Sequence, residues 1–290
     1  MAAMYPNLDV HTLGSHPDLT VSVDLACRHD FGGIDLPLEE VMAMNTPDQA
    51  RAMVEEAGLR WGGFGLPVDF RGEESTFEAN LARLRDWVPV AAKIGCTRCV
   101  TWIFPGHDVL SHAENFQQHE RRLGDVAACL APHGVRLGLE FVGPRTLRET
   151  VRHSFIHTMP GMLELADAVA RRAGTDATMV GLLLDTFHWW TSGDAETKGL
   201  EAVSGDRIVY VHVNDGRRGR ERDEQLDGER ALPCTTGVID AKRFMNALRA
   251  MGYDGPVTVE PFMSELGDLP ADVAVQRTAE ALLNMMNATI

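Results

Sequence analysis

Short apolar runs in the second half of the chain each end at an acidic or imidazole side chain. The runs cover residues 137–139, 180–184, 208–211 and 256–259. The side chains that follow them are Glu140, Asp185, His212 and Glu260. A short continuous apolar run indicates a strand buried on both faces. A charged group at the end of such a strand is misplaced unless something there uses it, so these residues are candidates for a functional site.

Strand-like runs alternate with helix-like periodicity along the whole chain. Eight strands are predicted, at residues 8–13, 33–36, 61–66, 99–104, 137–141, 180–185, 208–213 and 257–262. Helical spacing of apolar residues covers 38–57, 76–94, 113–130, 162–173 and 241–251. Glycines at 58, 95, 134 and 252 stand where a helix must end, because glycine adopts the left-handed conformation without strain. The pattern predicts an α/β fold, a closed (β/α)8 TIM barrel.

An open doubly wound sheet that binds a dinucleotide is the competing architecture. It requires a Gly-x-Gly-x-x-Gly turn after the first strand, and the sequence has none there. The glycine-rich segment at residues 62–65 lies within the third predicted strand, where close backbone packing explains it better than a phosphate. The chain has 290 residues, 44% of them hydrophobic, which fits one barrel. We therefore predict a single domain over residues 1–290.

The charge balance and the absence of long apolar stretches disfavour nucleic-acid-binding and membrane proteins as classes for this chain. The 27 basic and 42 acidic residues give a formal charge of −15, which repels the phosphates of nucleic acids. The dense basic cluster at residues 217–222 runs directly into acidic residues, and we interpret it as a solvated loop of mixed charge. The sequence has neither a secretory leader nor a stretch of about 18 apolar residues. We expect a cytoplasmic protein that binds neither nucleic acid nor membranes.

The cysteines do not predict a disulfide framework or a structural metal site. Their number, 5, is odd, and nothing in the sequence indicates an oxidising compartment. Cys96 and Cys99 form a lone CxxC without the second pair that a structural zinc site requires. We predict that they are buried free thiols.

The four residues at the strand ends predict a metal site. In a barrel the carboxyl ends of the strands line one mouth, so these side chains converge from the fifth to the eighth predicted strand. Each of them alone would be explained as a cap or an ion-pair partner. Three carboxylates with one imidazole suit a hard or borderline ion that keeps positions open for substrate oxygens. We predict one divalent ion, Mn²⁺ in the first place, with Mg²⁺, Co²⁺ or Zn²⁺ as alternatives.

Several segments resemble the sugar phosphate isomerase/epimerase superfamily, the xylose isomerase-like TIM barrels. They are residues 30–36, 138–141, 184–188, 211–215 and 259–262. The superfamily includes ketose 3-epimerases, hydroxypyruvate isomerase, inosose dehydratase, dehydroshikimate dehydratase and apurinic endonucleases. The resemblance spans nearly the whole chain, and homodimers or tetramers are common in the superfamily, so it leaves a homo-oligomer open.

The resemblance implies roles for individual residues. The metal ligands of the family match Glu140, Asp185, His212 and Glu260. Glu140 and Glu260 also match the acid/base pair of the epimerases and isomerases. His188 matches a histidine that touches substrate in the epimerases. Arg217 or Arg218 lies where the epimerases place a substrate-binding arginine.

Other residues near the predicted mouth have two interpretations each. His107, after the fourth strand, and His11, in the first, could bind substrate hydroxyls or be structural histidines. Trp102 could form, with Phe141, Trp189 and Trp190, an apolar wall against a sugar-like ring or a larger aglycone. Packing of the barrel and its helices is the alternative explanation for these aromatic side chains.

The predicted activity is an isomerisation or epimerisation of a small sugar, keto-sugar or polyol derivative. A metal bound to the substrate's carbonyl and hydroxyl oxygens stabilises an enediolate, and two carboxylates can then remove and return the proton. Loss of a β-hydroxyl from the same enolate would give a dehydratase, which is the alternative. Thr146 stands where ketose 3-epimerases generally have a further glutamate, and the segment 230–237 replaces a Pro-Gly-Glu-Gly type of turn common in the superfamily. Both departures disfavour a simple ketohexose epimerase. A non-catalytic sugar-binding barrel or subunit is a further alternative, and an apurinic endonuclease is disfavoured by the charge and the few histidines.

Overall fold

Parallel strands and surrounding helices dominate the computed structural model, which describes residues 4–44 and 46–287. The strands are β1 (Tyr5–Leu8), β2 (Gly33–Ile34), β3 (Arg60–Trp61), β4 (Phe64–Gly65), β5 (Arg98–Ile103), β6 (Gly106–His107), β7 (Arg136–Phe141), β8 (His153–Ser154), β9 (Val180–Asp185), β10 (Ile208–Val213) and β11 (Pro256–Val259). The helices are α1 (Leu19–Arg28), α2 (Leu38–Ala43), α3 (Pro47–Glu56), α4 (Glu74–Lys93), α5 (His112–Leu130), α6 (Arg145–Arg148), α7 (Met159–Ala173), α8 (Thr186–Thr191), α9 (Ala241–Ala250), α10 (Ser264–Gly267) and α11 (Ala271–Asn287).

The main sheet closes on itself. Its order is β3-β2-β1-β11-β10-β9-β7-β5-β4, and the pairs within it are parallel. The two segments at the ends of this order, β3 and β4, are consecutive in the chain and separated by Gly62 and Gly63. They are therefore two halves of one barrel strand, and the sheet is an eight-membered parallel barrel. This confirms the predicted fold class.

Burial explains why the central strands read as continuous apolar runs. Every residue of β9 and β10 is buried, as is every residue of β11, because helices cover the outside and side chains fill the inside. Gly181 shows how close the neighbours are, since a Cβ there would lie 2.2 Å from the carbonyl oxygen of Arg207. The four predicted helix-ending glycines all have positive φ, between 69° and 95°.

The first predicted strand was placed wrongly. Residues His11–Leu13 form a 3-10 turn, and the strand is Tyr5–Leu8. Its sequence contains a proline and an asparagine, both depleted in strands. Asn7 is nevertheless 1% exposed, because its amide lies 2.8–3.0 Å from Asp35, Tyr210 and Thr258 inside the barrel.

The other strands lie where the sequence places them, within a few residues at each end. The predicted helix over 38–57 is two helices, α2 and α3. The predicted segments do not include α1, α6, α8, α10 and α11. A short antiparallel pair, β6 with β8, lies outside the barrel sheet. Cys96 and Cys99 are buried and unpaired, as predicted. Within the described residues, no helix combines the length and apolarity needed to cross a membrane.

Candidate functional site

The four predicted donors arrive from four adjacent barrel strands. Glu140 lies near the end of β7 and Asp185 is the last residue of β9. His212 of β10 is the direct register partner of Asp185. The backbone N–H of Glu260, one residue past β11, donates to the carbonyl oxygen of Val213 at 3.2 Å. Parallel strands in this register therefore place all four side chains at one end of the barrel.

These side chains form a compact cluster, which we call the donor cluster: Glu140, Asp185, His212 and Glu260. One ligand atom from each lies within 4.8 Å of the others. His212 Nδ1 is 3.3 Å from Glu260 Oε2 and 3.5 Å from Glu140 Oε1. Glu140 Oε1 and His212 Nδ1 are buried without a hydrogen-bond partner in the structure.

The donor cluster fits a single divalent ion. Buried polar atoms normally have a hydrogen-bond partner. Glu140 Oε1 and His212 Nδ1 have none and lie 3.5 Å apart, which indicates that a common ligand belongs between them. Three carboxylates and one imidazole around one point are a suitable ligand set for Mn²⁺, Zn²⁺ or a similar ion. The cluster could therefore hold a metal ion, and the geometry does not select which one.

Each carboxylate oxygen of Asp185 accepts hydrogen bonds from neighbouring residues. Its Oδ1 accepts the backbone N–H groups of Phe187 at 2.6 Å and His188 at 3.0 Å, which caps the first turn of α8. Its Oδ2 accepts from the Asn214 amide at 2.8 Å. The cap also fixes His188, whose Nδ1 accepts the backbone N–H of Gly143 at 3.2 Å. His188 is therefore held with Nε2 directed toward the cluster.

Arg230 is a candidate site residue that the sequence analysis missed. It is 1% exposed, and its Nη1 lies 2.7 Å from Glu260 Oε2 and 3.2 Å from Asp185 Oδ2. Its Nη2 donates to Asp227 Oδ1 at 2.8 Å and lies 3.1 Å from His188 Nε2. The guanidinium thus offsets the negative charge of the cluster from the side of the loop after β10. The only sequence signal is its place in the segment 230–237, which departs from the superfamily pattern. That departure does not by itself indicate a role for an arginine.

The electrostatic surroundings of the two cluster glutamates differ. Burial raises the pKa of Glu140, and the nearby charge of Glu260 adds to the rise. Burial also raises the pKa of Glu260, but His212 and Arg230 outweigh it and lower that pKa to about 2. For His212, burial lowers the pKa, and the attraction of Glu260 and Glu140 overrides it, so the pKa is raised well above its ordinary value.

Metal affinity is expected to increase with pH. The raised pKa of His212 keeps its imidazole protonated in the metal-free protein at neutral pH, and a metal ligand must be deprotonated. Binding then releases at least one proton, which makes affinity rise by about tenfold per pH unit below the raised pKa. The same shift stabilises the metal-free fold below a pH of about 6.5, and this contribution is lost as pH rises through the raised pKa.

Calorimetric titration with Mn²⁺ between pH 6 and 8, in two buffers of different ionisation enthalpy, measures both the affinity and the released protons. His107→Gln is the control, because the His107 Nδ1 accepts backbone N–H groups from Val109 and Leu110 at 2.9 Å in a surface loop. This variant should keep the pH dependence. An affinity independent of pH would contradict the proposed protonation of His212.

A pocket of about 360 Å³ opens onto the donor cluster. Its polar side consists of Glu140, His188, Asp227, Arg230 and Glu260. Its apolar side consists of Trp102, Phe104, Val142, Leu147 and Phe262. Trp102 is 47% exposed and Phe262 is 42% exposed, so both remain accessible to a ligand. Phe141, Trp189 and Trp190 pack elsewhere and do not line the pocket.

The remaining predicted substrate contacts lie away from the pocket lining. The Arg217 guanidinium is 3.5 Å from Glu265, and that of Arg218 donates to the carbonyl oxygen of Thr236 at 2.8 Å. His107 caps the loop before α5, and His11 Nδ1 lies 2.7 Å from His16 Nδ1. Three arginines of the basic cluster at 217–222 pair with acidic residues elsewhere in the chain, at positions 265, 229 and 196. The roles of Arg217, Arg218 and His107 in binding substrate stay predictions.

Comparison with known families supports the fold. A family model described as a xylose isomerase-like TIM barrel matches residues 23–285. The structure of a xylose isomerase domain protein from Alicyclobacillus acidocaldarius superposes with a TM-score of 0.83 at 29% identity, covering 98% of each chain. A structure of the IOLI protein with a bound zinc atom superposes with a TM-score of 0.79 at 20% identity, covering 100% of this chain and 99% of that one.

Curated relatives match over part of their length. Inosose isomerase of Bacillus subtilis (strain 168) is 29% identical over 169 residues, which are 57% of this chain and 52% of that protein. Inosose dehydratase of Lactiplantibacillus plantarum is 30% identical over 134 residues, which are 42% of this chain and 44% of that protein. The chain thus spans about half the length of the curated relatives it matches.

Proposed function

The chain belongs to the xylose isomerase-like TIM barrel family, and from this membership and the pocket we propose that it is a metal-dependent isomerase or epimerase. Its proposed substrate is a small sugar, keto-sugar or cyclic keto-polyol. The proposed reaction moves a proton at the carbon next to a carbonyl. The relative named inosose isomerase supports this substrate class. The proposed metal is Mn²⁺, with zinc the first alternative because one structural neighbour binds it.

One observation carries this proposal: Glu140 and Glu260 of the donor cluster line a pocket whose other polar groups are His188, Asp227 and Arg230. Four donors would hold the ion, whose Lewis acidity stabilises negative charge on substrate oxygens. The remaining polar groups are suitable for hydroxyl recognition, because they offer both donors and acceptors within one concave surface.

The chain's own residues have complementary roles in this proposal. Glu140 and Glu260 reach the pocket from β7 and β11, two strands that β9 and β10 separate, so one carboxylate can take the proton and the other can return it. His188 and Arg230 orient the hydroxyl groups of the substrate. Trp102 and Phe262 pack against its apolar face and exclude water.

The test is incubation of the metal-loaded protein with a panel of ketoses and inososes in D₂O. We expect deuterium to enter one carbon and the product to keep the mass of the substrate apart from that exchange. Mass spectrometry and ¹H NMR follow both quantities. Absence of exchange with every substrate of the panel, in protein shown to contain metal, would contradict a proton transfer next to a carbonyl.

A dehydratase is the second candidate, favoured by the match to inosose dehydratase. The same proton removal, followed by departure of a β-hydroxyl, gives a product lighter by one water. The D₂O experiment therefore separates the two candidates by product mass. A non-catalytic sugar-binding barrel predicts saturable binding without exchange or mass change.

A further inference from the structure

Three arginines begin three neighbouring barrel strands at the end opposite the donor cluster. Arg60 begins β3, Arg98 begins β5 and Arg136 begins β7. Arg98 and Arg136 are direct register partners on adjacent strands. Like charges directly opposite each other destabilise a sheet. This end of a protein whose formal charge is −15 therefore concentrates positive charge.

Arg136 is held by backbone carbonyl oxygens, and neither Arg60 nor Arg98 has partners of this kind among the described residues. The Arg136 guanidinium donates to the carbonyl oxygens of Thr178 at 2.8 Å and Ile208 at 3.3 Å. In the described part of the chain, the guanidinium groups of Arg60 and Arg98 have neither an ion pair nor a hydrogen bond. Arg98 Nε is buried and unsatisfied, which is costly for a polar group.

Arg60 and Arg98 line a cavity of about 330 Å³ at the amino-terminal end of the barrel. The guanidinium carbon of Arg60 lies 3.7 Å from the centroid of the Tyr5 ring, which fixes its position. Glu55 and Asp254 also line the cavity. Glu55 is paired with Arg51 at 2.7 Å, and Asp254 is exposed at the rim. Arg60 and Arg98 thus share a concave site in which neither of the two lining carboxylates forms an ion pair with them.

We propose that this cavity binds the phosphate group of a small molecule between Arg60 and Arg98. A guanidinium presents a planar fork of N–H donors that matches a phosphate, and the cavity has room for a compact ligand. A bound phosphate also offsets the repulsion between Arg98 and Arg136. The site lies at the opposite end of the barrel from the pocket and does not depend on the proposed reaction.

Thermal unfolding of the metal-free protein, titrated with inorganic phosphate at constant ionic strength against chloride, tests the site. We expect a saturable rise of Tm in the wild type and at least a tenfold weaker response in Arg60→Gln and Arg98→Gln. Arg28→Gln is the control, because Arg28 forms exposed ion pairs with Asp24 and Asp272; it should respond like the wild type. A response no larger than that to chloride, or one retained in both cavity variants, would overturn the proposal.

Stability without phosphate separates a binding role from a structural one. Because Arg98→Gln removes a like charge opposite Arg136, its Tm in phosphate-free buffer should equal or exceed that of the wild type. A lower Tm would assign Arg98 a structural role and overturn the proposal. A second titration with glycerol phosphate distinguishes the ligand sources. Equal affinity for both compounds indicates that the cavity accepts a phosphate monoester as ligand. A response to inorganic phosphate alone indicates that the ligand is the free ion. Both results support the site.

Discussion

Glu260→Gln is expected to abolish turnover and to lower the metal content of the purified protein. The substitution removes a negative charge from a cluster in which Glu260 Oε2 lies 3.3 Å from His212 Nδ1 and 2.7 Å from Arg230 Nη1. Loss of general acid-base catalysis alone costs about 10²–10⁴ in rate, and a weakened ion lowers the rate further. Glu140→Gln should have the same effect on turnover from the opposite side of the pocket.

Elemental analysis and the D₂O exchange rate are the two measurements. Glu265→Gln is the matched control, because Glu265 is an exposed carboxylate five residues away that pairs with Arg217. It should keep both the metal and the exchange rate. Wild-type turnover in either cluster variant with its metal bound would disprove the acid/base assignment.

Arg230→Met is expected to destabilise the metal-free protein by about 3–5 kcal/mol in free energy of unfolding, as removal of one partner from a buried ion pair does. The side chains of Arg230 and Asp185 are 1% and 0% exposed, and Arg230 also faces Glu260 and Asp227. Without the guanidinium, these carboxylates lose the cation that they share. Saturating Mn²⁺ should recover part of the loss, since the ion replaces some of the missing positive charge.

Urea unfolding with and without Mn²⁺ measures both effects. The matched control is Arg222→Met. The Arg222 side chain is 33% exposed and pairs with Glu196 and Asp223. A surface pair of this kind contributes about 1 kcal/mol or less. If the two variants lost equal stability, Arg230 would not be the counter-charge of the cluster.

The donor cluster could be predicted because each of its residues directly follows a buried apolar run. Asp185 and His212 end or nearly end runs that are apolar throughout, and the barrel geometry then brings strand ends together. The fold was predictable for the same reason. The first strand was not, because Asn7 and its partners form a polar network inside the barrel, and an interior of this kind removes the hydrophobic signal.

Arg230 could not be predicted because its role depends on a loop conformation. It lies in the segment after β10, where several arginines occur close together in the sequence. Arg217 and Arg220 turn toward Glu265 and Glu229, whereas Arg230 is buried against the cluster. The three arginines are alike in the sequence, and only the folded path of the loop distinguishes Arg230 from Arg217 and Arg220.

The double contact of Asp185 bears on how diverged members of this family can be interpreted. One of its oxygens caps α8 and the other faces the donor cluster. The helix cap by itself favours an N-capping side chain such as aspartate at this position, so the presence of this residue is weak evidence for metal binding or catalysis. His212 is the better marker, because its Nδ1 faces the carboxylates of Glu140 and Glu260 and caps nothing. A barrel with the aspartate but without this histidine would keep the helix cap and lack one of the four side chains that could hold a metal ion.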